Sequence, residues 1–132
     1  MKYAIILMVG LVACTVPPSE NTSSPEDLKK EVMAIHDEVM PKMGDLRKTE
    51  KALRDAAGEV EDMVQSLALS EAADAIGDAN ENMMVWMRNY DANYDGTDQE
   101  VMEYLRNQKA QIEKVRTDMN DTLAKGKELL DQ

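Results

Sequence analysis

The sequence predicts an all-α protein, and three stripes of apolar residues predict an antiparallel three-helix bundle with long first and third helices. Beyond Pro25 the chain is rich in strong helix formers such as Ala, Leu, Met, Glu and Lys, and it contains one further proline. Its apolar residues recur at spacings of three and four, without strand-like alternation. Each stripe needs burial against the others, and the connections between them are short, so we expect a bundle.

The predicted first helix has a marked start. Ser24 can cap its first turn, Pro25 suits the first helical position, and Glu26 and Asp27 favour the positive end of the helix dipole. Its apolar stripe comprises Leu28, Val32, Ile35, Val39, Met43 and Leu46 and resumes at Leu53, Ala57, Val60, Val64 and Leu67.

Two residues interrupt this helix. Pro41 has no amide hydrogen for the carbonyl of Asp37, and its ring crowds that turn, so we expect a kink within a continuing element. Gly58 is a weaker break, costing about 1 kcal/mol relative to alanine.

The second helix is predicted to begin near Ser70 and to end at the loop 91–96. Its stripe is Leu69, Ala73, Ile76, Met83, Met87 and Tyr90, interrupted by Asn80. Thr97 and Glu100 fit a capping box that opens the third helix. The stripe of that helix is Val101, Leu105, Gln108, Ile112, Val115, Met119 and either Thr122 or Leu123. The first and third helices are predicted to be longer than the second, so we expect one end of the bundle to project or to dimerise.

The N-terminal segment contains the one cysteine of the chain. Lys2 precedes about ten apolar or small residues, a length typical of a signal peptide and too short to span a bilayer. The run Leu11-Val12-Ala13-Cys14 resembles the lipobox of bacterial lipoproteins. That resemblance implies that residues 1–13 are a cleaved lipoprotein signal peptide and that Cys14 is acylated, for example with palmitate. The alternative is an ordinary secretory signal with a chance cysteine.

Residues 14–24 are expected to be the lipidated cysteine and a disordered tether, because they are polar, contain two prolines and offer little apolar surface to pack. Residues 25–132 form the predicted helical bundle domain, outside the cytoplasm. Thr15, rather than aspartate, follows the cysteine, which favours the outer membrane over the inner one where that sorting rule applies. Attachment is expected through the lipid.

Charge restricts the partners of this chain. The net charge is −11 at pH 7, and loss of Lys2 with the signal peptide would make it one unit more negative. Binding nucleic acid requires positive charge that displaces counterions from phosphates, so we expect no nucleic acid partner. A protein partner, or a second copy of this chain, is compatible with an acidic surface.

Methionine and histidine side chains fall on two helix faces. Met33, His36, Met40 and Met43 share one face of the first helix, and Met83, Met84 and Met87 lie on the second helix beside Trp86. The simpler interpretation is that methionines fill gaps in a bundle core. The alternative is a periplasmic soft-metal site, because thioether and imidazole ligands suit Cu(I); its candidate ligands are His36, Met40, Met43, Met83 and Met87.

The loop between the second and third helices resembles the first half of an EF-hand. Asp91, Asn93 and Asp95 place oxygen atoms at alternate positions, and Gly96 is sixth. Met102 occupies the twelfth position, where a bidentate glutamate is needed. A turn, for which Asp, Asn and Gly are also preferred, is the simpler interpretation, and a weak calcium site is the alternative.

The sequence offers little for catalysis. His36 is the only histidine, the one thiol is expected to be acylated, and no glycine-rich phosphate loop or zinc pattern is present. We therefore expect no enzymatic activity and no cofactor.

Three further segments carry a resemblance over most of the chain after Cys14. They are the run from His36 to Gly44, the run from Met83 to Tyr90, and Met102 to Leu105 with the Gln108-Lys109 and Ile112-Glu113 pairs. They are similar to small helical lipoproteins of Bacteroidota, of the uncharacterised kind loosely labelled viral A-type inclusion protein-like. The resemblance implies a helical fold and an address in the cell envelope. The expected function is a lipid-anchored structural or protein-interaction module.

Overall fold

The computed structural model describes residues 23–132, and this part of the chain contains helices and no strand. The helices are α1 (Pro25–Val39), α2 (Met43–Glu59), α3 (Met63–Asn89) and α4 (Asp98–Leu130). A 3₁₀ turn, Met40–Lys42, joins α1 to α2, so the chain forms three helical units. The prediction of an all-α protein is confirmed. Cys14, the predicted signal peptide and most of the predicted tether lie outside the described residues.

Both predicted caps are present. The Ser24 hydroxyl oxygen accepts the backbone N–H of Asp27 (3.2 Å), and the Asp27 carboxylate accepts the Ser24 N–H (3.3 Å) in return. Thr97 and Glu100 make the same reciprocal pair at the start of α4. Each box satisfies amides that the first turn of a helix leaves without partners.

The predicted interruption at Pro41 is also confirmed. The last amide bonded within α1 is that of Met40, which donates to the carbonyl of His36. The turn that follows contains Pro41, and α2 begins immediately after it. Because the turn is short, the buried face continues from Val39 to Met43 without a change of side.

The predicted start of the second helix near Ser70 is wrong. Asp62 caps α3 instead, accepting the backbone N–H three residues further on (2.9 Å), and the extended backbone of Val60 separates it from α2. Val64 and Leu67, assigned above to the buried stripe of the first helix, belong to α3 and are 78% and 58% exposed. Their spacing continues the apolar pattern of the first helix only by coincidence. The turn between α2 and α3 interrupts the helical periodicity, so the two patterns belong to different helix faces.

In the rest of the described chain, the buried core consists mainly of residues from the three predicted stripes. Its fully enclosed large side chains are Leu46, Leu53, Ile76, Met83, Ile112, Met119, Val32 and Val39. Asn80 and Gln108, which interrupt the apolar pattern, are buried with them. Burial of a leucine or isoleucine side chain contributes roughly 1.5–3 kcal/mol, so these apolar stripes are the main source of stability.

Side chains connect the first helical unit to α4 along its length. The Lys109 ammonium lies 2.6 Å from the Glu31 carboxylate, and Arg116 lies 3.3 Å from Glu38. Further along, the Lys42 ammonium donates to the side-chain oxygen of Asn120 (2.7 Å). These partner numbers rise together, so the two segments run in the same direction.

The contacts with α3 run in the opposite sense. Lys29 donates to the carbonyl of Ala92 (2.6 Å), just beyond the end of α3. Arg54 pairs with Asp74 (3.0 Å), near the middle of α3. The end of α2 meets the start of α3, where the Ser66 hydroxyl donates to the carbonyl of Ala57 (2.8 Å).

Among residues 23–132, no helix has the length and apolar character that crossing a membrane requires.

Candidate functional site

His36 and Met87 meet across the junction of α1 and α3. The Nε2 atom of His36 lies 3.4 Å from the Sδ atom of Met87. On its other side the ring is held by Asp37, whose carboxylate oxygen lies 2.9 Å from Nδ1. The side chain of His36 is 17% exposed, so solvent reaches the edge of this pair. Of the metal candidates, these two come into direct contact.

The other candidate methionines divide into two groups. Met43 and Met83 are 7% and 0% exposed and lie within the hydrophobic core, as the simpler interpretation expects. Met40 is half-buried and packs against the edge of that core, as does Met84. Only the second group lies near enough to the surface to meet an ion arriving from solvent.

A row of aromatic rings extends from His36 toward the start of α4. The Trp86 ring lies 5.9 Å from His36, centroid to centroid, and stacks on Tyr90 at 4.9 Å. Tyr104 follows at 6.4 Å from Tyr90 and stacks on Tyr94 at 4.2 Å. Aromatic pairs contribute stability beyond the apolar area that they bury. The row therefore stabilises the packing of α1, α3 and α4 at this end of the molecule.

Burial has an electrostatic consequence within this row. Desolvation raises the pKa of the Tyr90 phenol above its usual value, with smaller contributions from Tyr104 and Asp91. The raised pKa favours the neutral phenol further, and the Tyr90 ring packs on Trp86.

An open groove of about 260 Å³ lies between α3 and α4. Val85, Trp86 and Val115 supply its apolar floor, and Lys114 and Asp118 stand at its edge. Those two charged groups pair with each other at 2.7 Å. The groove therefore offers a small apolar surface, and the two charged side chains that line it are already paired with each other.

The loop between α3 and α4 is organised as a turn. The Asp91 carboxylate accepts the backbone N–H of Asn93 (2.8 Å), and the Asp91 N–H donates to the phenol oxygen of Tyr104 (2.7 Å). Asp91, Asn93 and Asp95 are all exposed. Over residues 23–132, no three His, Cys, Asp or Glu side chains gather in a way that could hold a metal ion. The weak calcium site stays a prediction.

Three apolar side chains are exposed at the start of α3. Met63, Val64 and Leu67 are 84%, 78% and 58% exposed, and their spacing places them within about 100° of one helix face. We call these three residues the distal patch, because they lie at the end of α3 away from Lys29 and the start of α1. Sequence reasoning missed this surface, since it placed Val64 and Leu67 in a stripe of the first helix. Asp62, a preferred N-cap residue, was the signal that could have found it.

Comparison of the chain with models of known families, with curated proteins and with solved structures gave no match. The resemblance to Bacteroidota lipoproteins therefore stays a prediction.

Proposed function

We propose that this chain is a lipid-anchored helical lipoprotein of the bacterial cell envelope that acts by contact with another protein. The observation that carries the proposal is the distal patch, Met63, Val64 and Leu67, which is exposed although most other large apolar side chains of residues 23–132 are buried or half-buried. Exposed apolar groups grouped on one face mark interaction surfaces more often than scattered ones do.

The arrangement of the helices supports this assignment. We infer an antiparallel three-helix bundle, because α1 and α2 pair with α4 in ascending order and with α3 in descending order. The tether would then enter beside the loop after α3, where Lys29 contacts Ala92. The distal patch would lie at the far end of α3, whose 27 residues extend about 40 Å.

This geometry gives the two ends of the domain separate roles. A lipid at Cys14 would hold one end near the membrane through the tether. The distal patch would point away from that membrane, where a partner in the periplasm or on the cell exterior could reach it. The preference for the outer membrane comes from Thr15 alone, and the function requires only that the domain lie outside the cytoplasm.

The charges around the distal patch indicate what kind of partner surface would fit it. From residue 55 to residue 87 the chain has eight acidic residues and no lysine or arginine. Glu59, Glu61 and Asp62 are exposed immediately before or beside the patch. A second copy would bring the same acidic rim, which disfavours pairing of two patches. The partner we propose is a protein with an apolar surface bordered by lysine or arginine.

Site-specific photocrosslinking in intact cells tests this proposal. A photoreactive amino acid at position 64 or 67 should give one discrete crosslinked species, and the same probe at Lys51 on the exposed face of α2 should not. The double substitution V64E/L67E should abolish the product made by a probe at position 63, because buried charges without partners oppose binding. Circular dichroism should show an unchanged melting temperature, since both positions are exposed.

Two results would contradict the proposal. The absence of a discrete product at all three patch positions would remove the docking surface. A product containing two copies of this chain would replace a basic-rimmed partner by self-association.

A further inference from the structure

Going beyond the protein-contact function, we propose that His36 and Met87 are the first two ligands of a soft-metal site that takes Cu(I). The site would lie at the α1–α3 junction, on the half of the molecule in which α1 begins. It is independent of the distal patch, so either proposal can fail alone.

The hydrogen bonding of His36 directs one nitrogen at the sulfur. A carboxylate only accepts hydrogen bonds, so Nδ1 carries the hydrogen that the Asp37 carboxylate accepts. In the neutral imidazole, Nε2 then has a free lone pair facing Sδ of Met87, which is also an electron-pair donor. Metal-binding histidines commonly have this arrangement, in which a carboxylate holds one nitrogen and frees the other for the ion.

The separation of the two donor atoms suits a shared ion. With the bond lengths of zinc sites as a guide, about 2.0 Å to imidazole nitrogen and about 2.3 Å to sulfur, a tetrahedral angle places the two ligands about 3.5 Å apart. The observed Nε2 to Sδ distance is 3.4 Å. The pair therefore needs little backbone movement to hold one ion between α1 and α3.

Further thioethers lie one helical turn away on each helix. Met40 follows His36 by four residues on the first unit, and Met84 precedes Met87 by three, spacings that share a helix face. Both are half-buried and lie beside the core. One or both could complete a three- or four-ligand set after a change of rotamer, which methionine makes readily.

The chemistry of these groups selects the ion. Thioether and imidazole are soft or borderline ligands and favour Cu(I), whereas Ca²⁺ needs several oxygen ligands. The Asp37 carboxylate beside the pair already accepts the hydrogen of Nδ1. The nearby Trp86 ring could add a cation–π contact to a bound monovalent ion.

Metal titration tests the site. The full chain with Cys14→Ser, which removes its single thiol, would be titrated with Cu(I) under a competing chelator, with Ag(I) as a redox-inert second probe. We expect one equivalent to bind more tightly than micromolar. Trp86, the only tryptophan in the chain and 5.9 Å from His36, should report the binding as a change in fluorescence.

Three variants separate the site from general methionine binding. His36→Gln and Met87→Leu should each weaken Cu(I) affinity by at least ~100-fold, more than the roughly 10- to 100-fold typical of losing an outer hydrogen-bond partner. Met63→Leu, at the exposed far end of the same helix, should leave the affinity unchanged. Melting curves of the metal-free variants establish that each one folds.

The proposal is overturned if Cu(I) and Ag(I) bind no more tightly than micromolar. It is also overturned if folded Met87→Leu or folded His36→Gln binds as the parent does. Leucine is close to methionine in volume, so Met87→Leu should retain the fold if His36→Gln does not.

Discussion

Gly126 marks a point where α4 approaches its neighbours closely. It is buried, and a β-carbon added there would lie 2.8 Å from Ile76 Cδ1, 2.9 Å from Thr49 Cγ2 and 3.1 Å from Leu53 Cδ1. These contacts come from both α2 and α3. A β-carbon at this position would force these side-chain ends to move, which favours glycine although it lowers the helical propensity of α4 by about 1 kcal/mol relative to alanine.

Substitution of Gly126 should destabilise the domain. Overpacking a filled core costs about 1–3 kcal/mol, which exceeds the gain in helix propensity, so we expect Gly126→Ala to lower the free energy of unfolding by roughly 1 kcal/mol. Urea denaturation measures this change. The control is Gly44→Ala in the first turn of α2, where no atom outside the local backbone lies within 4 Å of the added carbon, and which should stabilise by roughly 0.4–1 kcal/mol because alanine restricts the unfolded chain. Equal effects of the two substitutions would show that α4 does not approach α2 and α3 this closely.

The pairing of His36 with Met87 could be only partly predicted from the sequence. Their helical spacing placed each on a face with other methionines, which correctly identified the residue types involved. Which methionine of α3 would meet the imidazole depends on the rotation and offset of two packed helices. Neither quantity is encoded in the spacing along one helix, so Met43 and Met83 entered the candidate set although both lie in the core.

The helix ends show what local sequence could predict. Ser24 was recognised because proline and two acidic residues follow it, and Thr97 because a capping box depends on residues three apart. Pro41 was recognised because its missing amide acts on the preceding turn. The start of α3 was missed since Asp62 caps alone, with glutamine three residues later making no return bond to the backbone, and the apolar spacing ran across the turn without a gap.

The cap of α4 gives a prediction on stability. Thr97→Ala removes the hydroxyl that accepts the Glu100 amide, and such losses cost about 1 kcal/mol. Thr97→Ser, which retains the hydroxyl, should change the free energy of unfolding little. Both values come from urea denaturation at neutral pH. If alanine and serine behaved alike, the capping box would contribute nothing to the fold.

The same cap predicts a dependence on pH. Hydrogen bonds from the Thr97 backbone N–H, and then from its hydroxyl, lower the pKa of Glu100 below its ordinary value of 4.5. A lowered pKa in the folded state stabilises the protein fully above pH 4.5, and this stabilisation is lost as the pH falls through the lower, folded value. The difference in stability between the parent and Glu100→Gln should therefore shrink below pH 4.5, as followed by thermal melts. A difference that stayed constant or grew on acidification would contradict this assignment.

The two ends of the domain differ in structure and in charge. The start of α1 and the aromatic row lie at one end, and the distal patch lies at the other, in a segment without lysine or arginine. In the proposed function a lipid at Cys14 supplies the membrane location, and the net charge of −11 opposes close contact with anionic lipid or nucleic acid. The proposed function depends on this separation of an anchored end from an exposed, acidic, partly apolar end.

Mass spectrometry of the chain recovered from native membranes tests the anchoring most directly. The account predicts a mature N-terminus at Cys14 that carries the added mass of fatty acyl groups. It also predicts that the Cys14→Ser protein keeps residues 1–13 and carries no acyl mass. Recovery of the unaltered chain from the aqueous fraction, without acyl mass and with Met1 still present, would contradict the account.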